Sequence, residues 1–374
     1  MLNLANTSDY RFGFVMEQNL GHVTRSQNLA RWLRENPSIK TTWMEVFPDG
    51  KHLWSKVPIY TVRCSLRAQS LVRKTLRQQT LDCLLYDTQA TALFSPRIVQ
   101  RVPTVILSDA TPMIFDTLAA AYDVIKPTGV IADLKFKWFR NMYQSATAMI
   151  ALSDWVKNSL VQDYGVEPDK VTVILPGVEL SEWRPTPKEV GGDGKLRLLF
   201  VGGDFARKGG HVLLEAFRSG LGDRCTLDIV TKDPTITSTA SVRVHQNLPP
   251  NSPTLRQLYA SSDLFVFPTQ GDITPVVVLE AMASGVPVVA TNVGALSEQV
   301  EDGVTGVLVP TNDPKAIVEA VCALADNRSS LAVMALASRA RAERLFDAGK
   351  NHKAAIDVMK RCVEERRVTL RGAY

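Results

Sequence analysis

Short apolar runs rich in β-branched residues alternate along this chain with longer stretches of helical periodicity, and that alternation constrains the fold more than any other feature. Strands separated by helices predict a mostly parallel sheet covered by helices on both faces. Twelve runs are predicted strands, six in each half of the chain: 12–16, 42–46, 84–87, 104–107, 148–152, 171–175, 196–201, 227–230, 242–245, 264–268, 286–290 and 307–310. We therefore expect an α/β protein made of two doubly wound, Rossmann-like halves, with ligands at the carboxyl ends of the strands.

The segment 184–195, RPTPKEVGGDGK, separates the two sets of strands. Its proline, glycine and charge are typical of a domain linker. It predicts an N-terminal domain over 1–183 and a C-terminal domain over 196–350, facing each other across a cleft with the linker as hinge. Residues 351–374 predict a basic helix. The pattern leaves open whether this helix packs on its own domain or crosses to the first.

The composition excludes several classes of protein. The 45% hydrophobic and 22% charged residues are ordinary for a globular chain. No apolar run approaches the roughly 20 residues that span a bilayer, and the N-terminus lacks the basic start and apolar core of a secretion signal. Five scattered cysteines support neither a disulfide framework nor a zinc site. We expect a cytoplasmic protein.

Positive charge is unevenly spread, although the net charge is only +5. Residues 50–81 contain no acid, and residues 135–140, KFKWFR, mix cations with large aromatic side chains. The cations of the first run are Lys51, Lys56, Arg63, Arg67, Arg73, Lys74 and Arg77. Two interpretations stay open: peripheral contact with an anionic membrane surface, or solvated helix faces. Nucleic-acid binding is not predicted, because no recognised motif accompanies the charge.

The segment GDITPVVVLEAMASGVP places two acids, Asp272 and Glu280, on either side of a predicted helix start. Thr274 is a suitable N-cap and Pro275 a suitable first helical residue. The first amides of the helix, from Val276 onward, would then be available to an anion. Glu280 lies among apolar residues, where a carboxylate needs a partner such as a ligand hydroxyl. The alternative is an ordinary capped core helix with one exposed acid.

A second segment, VGGDFARKGG, follows the predicted strand 196–201. Its glycines allow the backbone to approach a ligand closely, and Arg207 and Lys208 are a cation pair suited to a diphosphate. The alternative is a glycine-rich turn with two solvated cations. It is not a Walker loop, because the order G-x-x-x-x-G-K-[ST] is absent.

Three further turns follow predicted strands in the same way. Gly21 and His22 stand in LGHVTR, Asp109 in SDATP and Gly294 in GALSE. His22 could bind an acceptor or a phosphate, although a lone histidine is more often structural. Asp109 suits either a ligand site or a turn cap. The chain also lacks a D-x-D pair, an H-E-x-x-H and a G-x-S-x-G, which disfavours metal chemistry and serine hydrolysis.

Taken together, these motifs resemble the retaining glycosyltransferases of family four, which have the GT-B architecture of two Rossmann domains. The resemblance covers most of the second half, in order, through ALSDWVKNSL, VILPGVELSEW, FVGGDFARKGGHVLLEAF, LYASSDLFVFPT and GDITPVVVLEAMASGVPVVATNVGALSEQVEDGVTGVLVP. In the first half it rests on GHVTR and SDATP. It implies a metal-independent hexosyltransferase that needs no cofactor and moves a sugar from a nucleoside-diphosphate sugar to a hydroxyl of a glycan, a lipid-linked molecule or a small molecule. The alternative is an inactive relative that binds nucleotide sugars as a sensor or scaffold.

The resemblance also implies roles for particular residues. Glu280 would bind the donor ribose and Asp272 the donor sugar, while Lys208 with Arg207 would hold the diphosphate. The implied donor-binding set further includes Gly203, Ile273, Thr274, Val276, Gly294 and Glu298. In the first half, Gly21 and His22 would lie near the phosphates and acceptor, and Asp109 would complete the sugar pocket.

Four positions depart from the family pattern. Asp272 is shorter than the usual Glu, which puts sugar recognition in doubt. Gly203 stands where many members have an Arg, so that Arg207 would have to supply that charge. Pro275 replaces a common Gly and removes one amide donor. Ser108 stands where a His is frequent, which puts the acceptor-side chemistry in doubt.

Overall fold

The computed structural model describes residues 10–19, 21–48, 57, 59–186 and 194–372. The described chain separates into two units. Unit 1 contains the residues up to Asp116, then Lys126–Ile174 and the C-terminal part from His352. Unit 2 contains Leu175–Asn351 together with the short segment Thr117–Ile125.

Unit 1 is built on a parallel sheet that has six strands within the described ranges. They are β1 Tyr10–Glu17, β2 Ile39–Val46, β3 Cys83–Tyr86, β4 Thr104–Ser108, β5 Ala148–Ala151 and β6 Val171–Val173. Their spatial order is β2-β1-β3-β4-β5-β6. The order reverses between β1 and β3, which pair with Phe12 opposite Cys83. That reversal is the topological switch point of the sheet, where ligands of such folds bind.

Unit 2 is also built on a parallel sheet with six described strands, in a different order. They are β7 Leu196–Val201, β8 Cys225–Thr231, β9 Val242–Gln246, β10 Leu264–Phe267, β11 Val288–Thr291 and β12 Gly306–Val309. Their order is β12-β11-β10-β7-β8-β9, so the switch point lies between β7 and β10. All twelve predicted strands are confirmed, because each predicted run overlaps one of the observed strands.

Helices connect the strands in both units. The described helices are α1 Gly21–Glu35, α2 Tyr60–Gln78, α3 Gln89–Ala92, α4 Pro96–Val99, α5 Pro112–Thr117, α6 Gly129–Ser145, α7 Asp154–Gln162, α8 Gly210–Ala216, α9 Pro253–Ser261, α10 Val276–Ala283, α11 Leu296–Gln299, α12 Pro314–Asp326, α13 Arg328–Leu345 and α14 Ala348–Gly372. The result is an α/β fold of two Rossmann-like units, as predicted.

The strands read as continuous apolar runs because helices cover both faces of the parallel sheet. In unit 2 one face packs around Phe265 and Leu279, and the other around Phe200 and Leu213. All five cysteines are free thiols, and Cys322 alone among them is more than slightly exposed. The absence of a disulfide framework is therefore confirmed.

The predicted boundary between the domains needs two corrections. Residues 175–183 belong to unit 2 rather than to the first domain, because the backbone of Val178 pairs with Phe346 and Ala348. Trp183 adds an edge-on contact with the buried ring of Tyr259, at 5.2 Å between centroids. Of the predicted linker 184–195, residues 187–193 lie outside the described residues.

The second correction concerns Thr117–Ile125, which falls inside the predicted first domain but belongs to unit 2. It packs there because Tyr122 stacks under the guanidinium of Arg207.

The C-terminal helix α14 begins in unit 2 and continues in unit 1. Its apolar residues Ile356, Met359 and Val363 are buried in the core of unit 1, beside Phe14. This is the crossing that the sequence pattern left open. No single helix in the described ranges is long and apolar enough to cross a bilayer; α12 and α13 reach that composition only as a pair bent by 103°.

Candidate functional site

The motif residues of the second half gather at the carboxyl edge of the unit 2 sheet. The turn 202–209 follows β7, and the loop 268–275 follows the neighbouring strand β10. These two strands form the switch point, so their loops meet even though about 65 residues separate them in the chain. The order of strands therefore explains why two distant motifs form one site.

Backbone contacts lock the two loops together. The carbonyl of Arg207 accepts hydrogen bonds from the Gln270 amide at 2.8 Å and from the Thr269 hydroxyl at 3.2 Å. Gly209 has a φ of +78°, and a Cβ there would overlap the carbonyl of Pro268. Only glycine fits this conformation and this approach. The loop geometry is thus fixed before any ligand binds.

Lys208 and Asp272 form an ion pair across these loops. Their side chains are only 17% and 11% exposed, and the Lys208 ammonium also lies 5.3 Å from the centroid of the Phe267 ring. Burial lowers the pKa of Lys208, and the Asp272 carboxylate opposes that shift. The Asp272 carboxylate also accepts from the Ile273 amide at 3.2 Å. Two residues predicted to contact the donor therefore neutralise each other in this structure.

Arg207 is engaged in a different way from its neighbour. Its Nε donates to Asp204 at 2.9 Å, its Nη1 donates to the Gly271 carbonyl at 2.9 Å, and its plane lies 4.5 Å from the centroid of the Tyr122 ring. These contacts pin the turn after β7 to the loop after β10. Arg207 therefore mainly positions the loops. Lys208 is the cation at the switch point whose N–H donors are less engaged by protein acceptors.

Gly203 has a cation beside it that the sequence analysis missed. A Cβ at Gly203 would lie 3.6 Å from Cδ of Lys232, an exposed residue that directly follows β8. Gly203 is also exposed. Lys232 therefore passes the position where many family members have an Arg. The sequence offered no signal for it beyond its place just after a strand.

Glu280 lies half-buried on α10, on the side of the buried Tyr259. Burial raises its pKa to about 8, and a hydrogen bond with the Tyr259 hydroxyl opposes part of that shift. The Val277 carbonyl lies 3.2 Å from the same hydroxyl, so the two acceptors compete for its one proton. A carboxyl group removed from water and incompletely satisfied by protein donors is suited to receive ligand hydroxyls.

The predicted start of α10 was wrong by one residue. Pro275, not Thr274, is the N-cap residue, and no side chain caps the helix. The reason is the extended ψ of Pro275, 116°, which leaves Val276 as the first helical residue. The amides of Val276 and Val277 then occupy positions that have no intrahelical acceptor. The anion-binding prediction for Val276 thus keeps its geometric basis without the Thr274 cap.

Gly294 supports the Asp272 loop from a third strand, β11. Its φ is +59°, and a Cβ there would overlap the carbonyl of Asp272. The next amide, that of Ala295, donates to the Ile273 carbonyl at 3.1 Å. Glu298 lies on the following helix, α11, and its carbonyl accepts from Arg341 at 2.8 Å. The structure thus brings Gly294 to the site through its backbone, and it gives Glu298 a backbone contact to α13.

In unit 1, Gly21 begins α1 directly after the loop that follows β1, and His22 is the second residue of that helix. His22 Nδ1 lies 2.6 Å from Arg25 Nη2, which can only donate, so the neutral imidazole carries its proton on Nε2. Burial and Arg25 lower the pKa of His22, against the opposing charges of Asp109 and Glu17. His22 and Asp109, which were predicted separately, are thus near enough for the charge of Asp109 to act on His22.

Two buried acids at this edge were missed in the sequence, Glu17 and Asp87. Asp87 Oδ1 accepts from the Glu17 amide at 2.8 Å, while Glu17 accepts from the Thr88 hydroxyl at 2.6 Å and from Tyr60. Burial raises the pKa of Asp87 to about 7, although Arg25 opposes the shift. Among the described residues, Asp87 Oδ2 has no hydrogen-bond partner. Both acids end apolar strands, which is the one signal that could have revealed them.

Comparison with known protein families identifies both halves of the chain. Residues 195–327 match the family described as glycosyl transferases group 1, and residues 34–182 match glycosyltransferase family 4. The D-inositol 3-phosphate glycosyltransferase of Nocardia farcinica is 31% identical over 226 residues, which are 54% of this chain and 50% of that protein. Its counterpart in Streptomyces scabiei is 30% identical over 258 residues, which are 62% and 58% of the two chains. The chain thus spans about half to three fifths of these curated relatives.

Solved structures show the same fold at low identity. A sucrose-phosphate synthase from Thermosynechococcus elongatus superimposes with a TM-score of 0.74 at 14% identity, covering 94% of this chain and 98% of the other. The Anabaena protein HepE, solved in complex with UDP and glucose, gives a TM-score of 0.65 at 16% identity, with coverage of 93% and 99%. These neighbours establish the GT-B fold.

Proposed function

We propose that this chain, which belongs to glycosyltransferase family 4, transfers a hexose from a nucleoside-diphosphate sugar to a hydroxyl acceptor, with retention of configuration and without a metal. The observation that carries the proposal is the Lys208–Asp272 ion pair at the switch point of unit 2.

Lys208 supplies the charge that a metal would otherwise supply. Cleavage of the bond between sugar and diphosphate places negative charge on the departing nucleotide. A buried ammonium, joined by the first amides of α10, stabilises that charge without reorganisation. The pairing with Asp272 keeps the cation from standing alone in a poorly solvated place before the donor binds.

Asp272 then becomes available to the donor sugar. When the diphosphate takes Lys208, the Asp272 carboxylate can accept sugar hydroxyls and face the positive character that develops on the anomeric carbon. Because Asp272 is given this binding role, we assign no enzyme nucleophile. Retention follows when the acceptor oxygen bonds to the anomeric carbon from the face that the diphosphate leaves, as the bond to the diphosphate breaks and the hydroxyl proton passes to the departing phosphate oxygen.

Glu280 binds the ribose of the donor. The two hydroxyls of a ribose diol donate to a carboxylate, and such donors would offset the burial that raises the pKa of Glu280 in the unliganded protein. The Tyr259 hydroxyl fixes its orientation from behind.

The polar cluster of unit 1, formed by Glu17, His22, Arg25, Asp87 and Asp109, binds the acceptor. Asp87 Oδ2 is the group that accepts from an acceptor hydroxyl, and His22 Nε2–H donates to an acceptor oxygen. Relatives named for D-inositol 3-phosphate make a small polyol phosphate the first acceptor to test. We place the reaction in the cytoplasm, since the five free thiols favour a reducing compartment.

The test is a donor screen followed by product analysis. The purified chain is scanned for thermal stabilisation by UDP-, GDP- and ADP-sugars, and each stabilising donor is then incubated with polyol and glycan acceptors, with and without EDTA. We expect one donor class to stabilise the protein, transfer to proceed in EDTA, and the product anomer to match the donor by NMR. Binding without transfer or hydrolysis for any pair would favour the sensing or scaffolding relative instead. An inverted product anomer would contradict retention, and loss of transfer in EDTA would contradict metal independence.

A further inference from the structure

Helix α6 of unit 1 exposes a row of large apolar side chains. Val130, Ile131, Leu134 and Trp138 are 74%, 70%, 45% and 48% exposed. Their spacing confines them to an arc of about 100° on the helix. The opposite side of α6 is buried, with Phe139 only 5% exposed. We call these four residues the α6 stripe. A row of this kind marks an interaction surface when it is contiguous, in contrast to single exposed apolar residues.

The α6 stripe is connected to helix α2 through one aromatic residue. The ring of Trp138 meets Phe94 edge-on, at 5.8 Å between centroids. The Phe94 amide donates to Ser65 Oγ at 2.7 Å, and its carbonyl accepts from the Gln69 side chain. Ser65 and Gln69 both belong to α2. The two helices therefore contribute to one surface of unit 1.

Helix α2 brings positive charge to that surface. It carries five cations and no acid over Tyr60–Gln78. Arg73, Lys74 and Arg77 are exposed, and no described carboxylate forms an ion pair with them. Arg73 follows Gln69 by one helical turn, so it lies on the side of α2 that faces Phe94. On α6 itself the exposed Lys137 lies next to the stripe, and the exposed Asp133 and Arg140 lie beyond it.

We propose that the α6 stripe and the α2 cations dock unit 1 onto the anionic surface of a lipid bilayer. A short amphipathic helix with an apolar face and cationic flanks lies in the plane of the interface, with its apolar side chains among the acyl chains. Trp138 suits the headgroup level, where tryptophan is enriched. A second copy of this chain fits less well, because a two-fold contact would bring the cationic α2 helices of both copies together. The inference does not depend on the proposed enzymatic activity.

The experiment is co-sedimentation of the full chain with vesicles of phosphatidylcholine alone or with 30% phosphatidylglycerol, a composition chosen at about the anionic content of a bacterial membrane. Binding is expected to the anionic vesicles only, and to weaken as salt rises from about 50 to 500 mM because the attraction is screened. The double variant Arg73→Glu/Lys74→Glu should bind at least about 25-fold more weakly, since each cation near the surface contributes about fivefold. Ile131→Ser/Leu134→Ser should weaken binding at least about tenfold.

Matched controls come from unit 2. Val333 and Leu336 are 67% and 74% exposed on α13, so Val333→Ser/Leu336→Ser removes equivalent apolar surface elsewhere. Lys315→Glu/Arg344→Glu reverses two exposed charges elsewhere. Both controls should bind as the parent protein does. Equal binding to neutral and anionic vesicles, or parental binding by both α6 and α2 variants with unchanged circular dichroism, would overturn the proposal. So would vesicle-independent dimerisation that is lost in Ile131→Ser/Leu134→Ser.

Discussion

The two switch points of this protein lie in sheets of different strand order, and they carry different polar groups. In unit 2 the edge between β7 and β10 carries a buried cation, Lys208, held by loops that interlock through backbone contacts. In unit 1 the edge between β1 and β3 carries buried acids, with Asp87 only 1% exposed and incompletely hydrogen-bonded. The first arrangement suits a ligand with negative charge, and the second suits a ligand with hydroxyl donors. Two Rossmann-like units of different strand order thus provide two chemically different sites.

The largest effect is expected at Lys208. Lys208→Met removes the cation that the departing diphosphate needs and leaves Asp272 buried without its partner, so kcat/KM should fall at least about 100-fold. Steady-state kinetics with a saturating acceptor checks this. Lys315→Met, at an exposed lysine of the same unit, is the control and should keep parental kinetics. If Lys208→Met kept parental turnover, the unit 2 edge would not need this cation, and the proposed difference between the two edges would be wrong.

The backbone of the unit 2 edge can be tested with glycines. Gly294→Ala forces a Cβ into the Asp272 carbonyl at a positive φ, whereas Gly303→Ala, at φ +74°, meets nothing within 4 Å. We expect Gly303→Ala to lower the free energy of unfolding by about 1 kcal/mol through backbone strain alone, and Gly294→Ala by at least about 2 kcal/mol more. Urea unfolding measures both. Equal losses would mean that the Asp272 loop tolerates displacement and is not held by this contact.

The proposed acceptor site at the switch point of unit 1 can be tested at Asp87. Asp87→Asn should raise the acceptor KM about tenfold, because a charge-assisted hydrogen bond is lost, and it should leave the donor Kd unchanged. In the parent protein, acceptor use should also decline as the pH falls through about 7, where Asp87 becomes protonated. Asp169→Asn, at an exposed acid of unit 1, is the control. A donor Kd that changes along with the acceptor KM would show that the two edges do not divide the ligands as proposed.

The smallest effect is expected at Lys232. Lys232→Gln should weaken nucleoside-diphosphate binding about fivefold, since it removes one exposed phosphate-directed charge. Gly203→Arg in the same background should restore most of the affinity, because Gly203 has ordinary contact distances and no positive φ. Arg218→Gln, at another exposed cation of unit 2, should have no effect. Unchanged affinity in Lys232→Gln would leave Lys208 as the principal cation of the site.

Much of the fold could be predicted because buried strands require apolar residues, and these are visible in the sequence. Strands covered on both faces must be continuously apolar, so all twelve runs were visible before the structure. The boundary between the two units could not be predicted from the pattern of apolar residues. Residues 175–183 read as part of the first domain, yet the pairing of Val178 with the backbone at Phe346 depends on a contact between residues far apart in the chain.

The candidate site was predictable where a motif carries its chemistry locally. Lys208 and Asp272 stand in glycine-containing turns after strands, and the structure joins them in an ion pair at one edge, while Glu280 lies on the helix that follows. Lys232 was missed because it is far from Gly203 in the sequence. The two residues come together only because β7 pairs with β8. The Thr274 cap failed because hydrogen-bonding capacity alone does not fix where a helix begins when the next residue, Pro275, holds an extended ψ.

The central claim is that Glu280 binds the donor as a carboxylate at the switch point of unit 2. Its raised pKa, about 8, means that the free protein carries it protonated at neutral pH. Ribose hydroxyls favour the ionised form, so donor affinity should rise with pH up to about 8, and binding at pH 7 should release close to one proton.

In the free protein, the pH dependence of stability that comes from Glu280 is opposite in sign to the pH dependence of donor affinity. Because the pKa of Glu280 is raised from 4.5 to about 8 on folding, its stabilising contribution is present below pH 4.5 and is lost as the pH rises through about 8. Glu280→Gln should therefore raise the Tm of the free protein at pH 8 relative to the parent, while it weakens donor binding at least about tenfold.

Calorimetric titration of the stabilising nucleotide at pH 7, in two buffers of different ionisation enthalpy, measures affinity and proton release together. The account predicts close to one proton released by the parent protein, none by Glu280→Gln, and a Kd at least about tenfold higher in that variant. Binding by the parent with no proton released, and with the same Kd in Glu280→Gln, would contradict it.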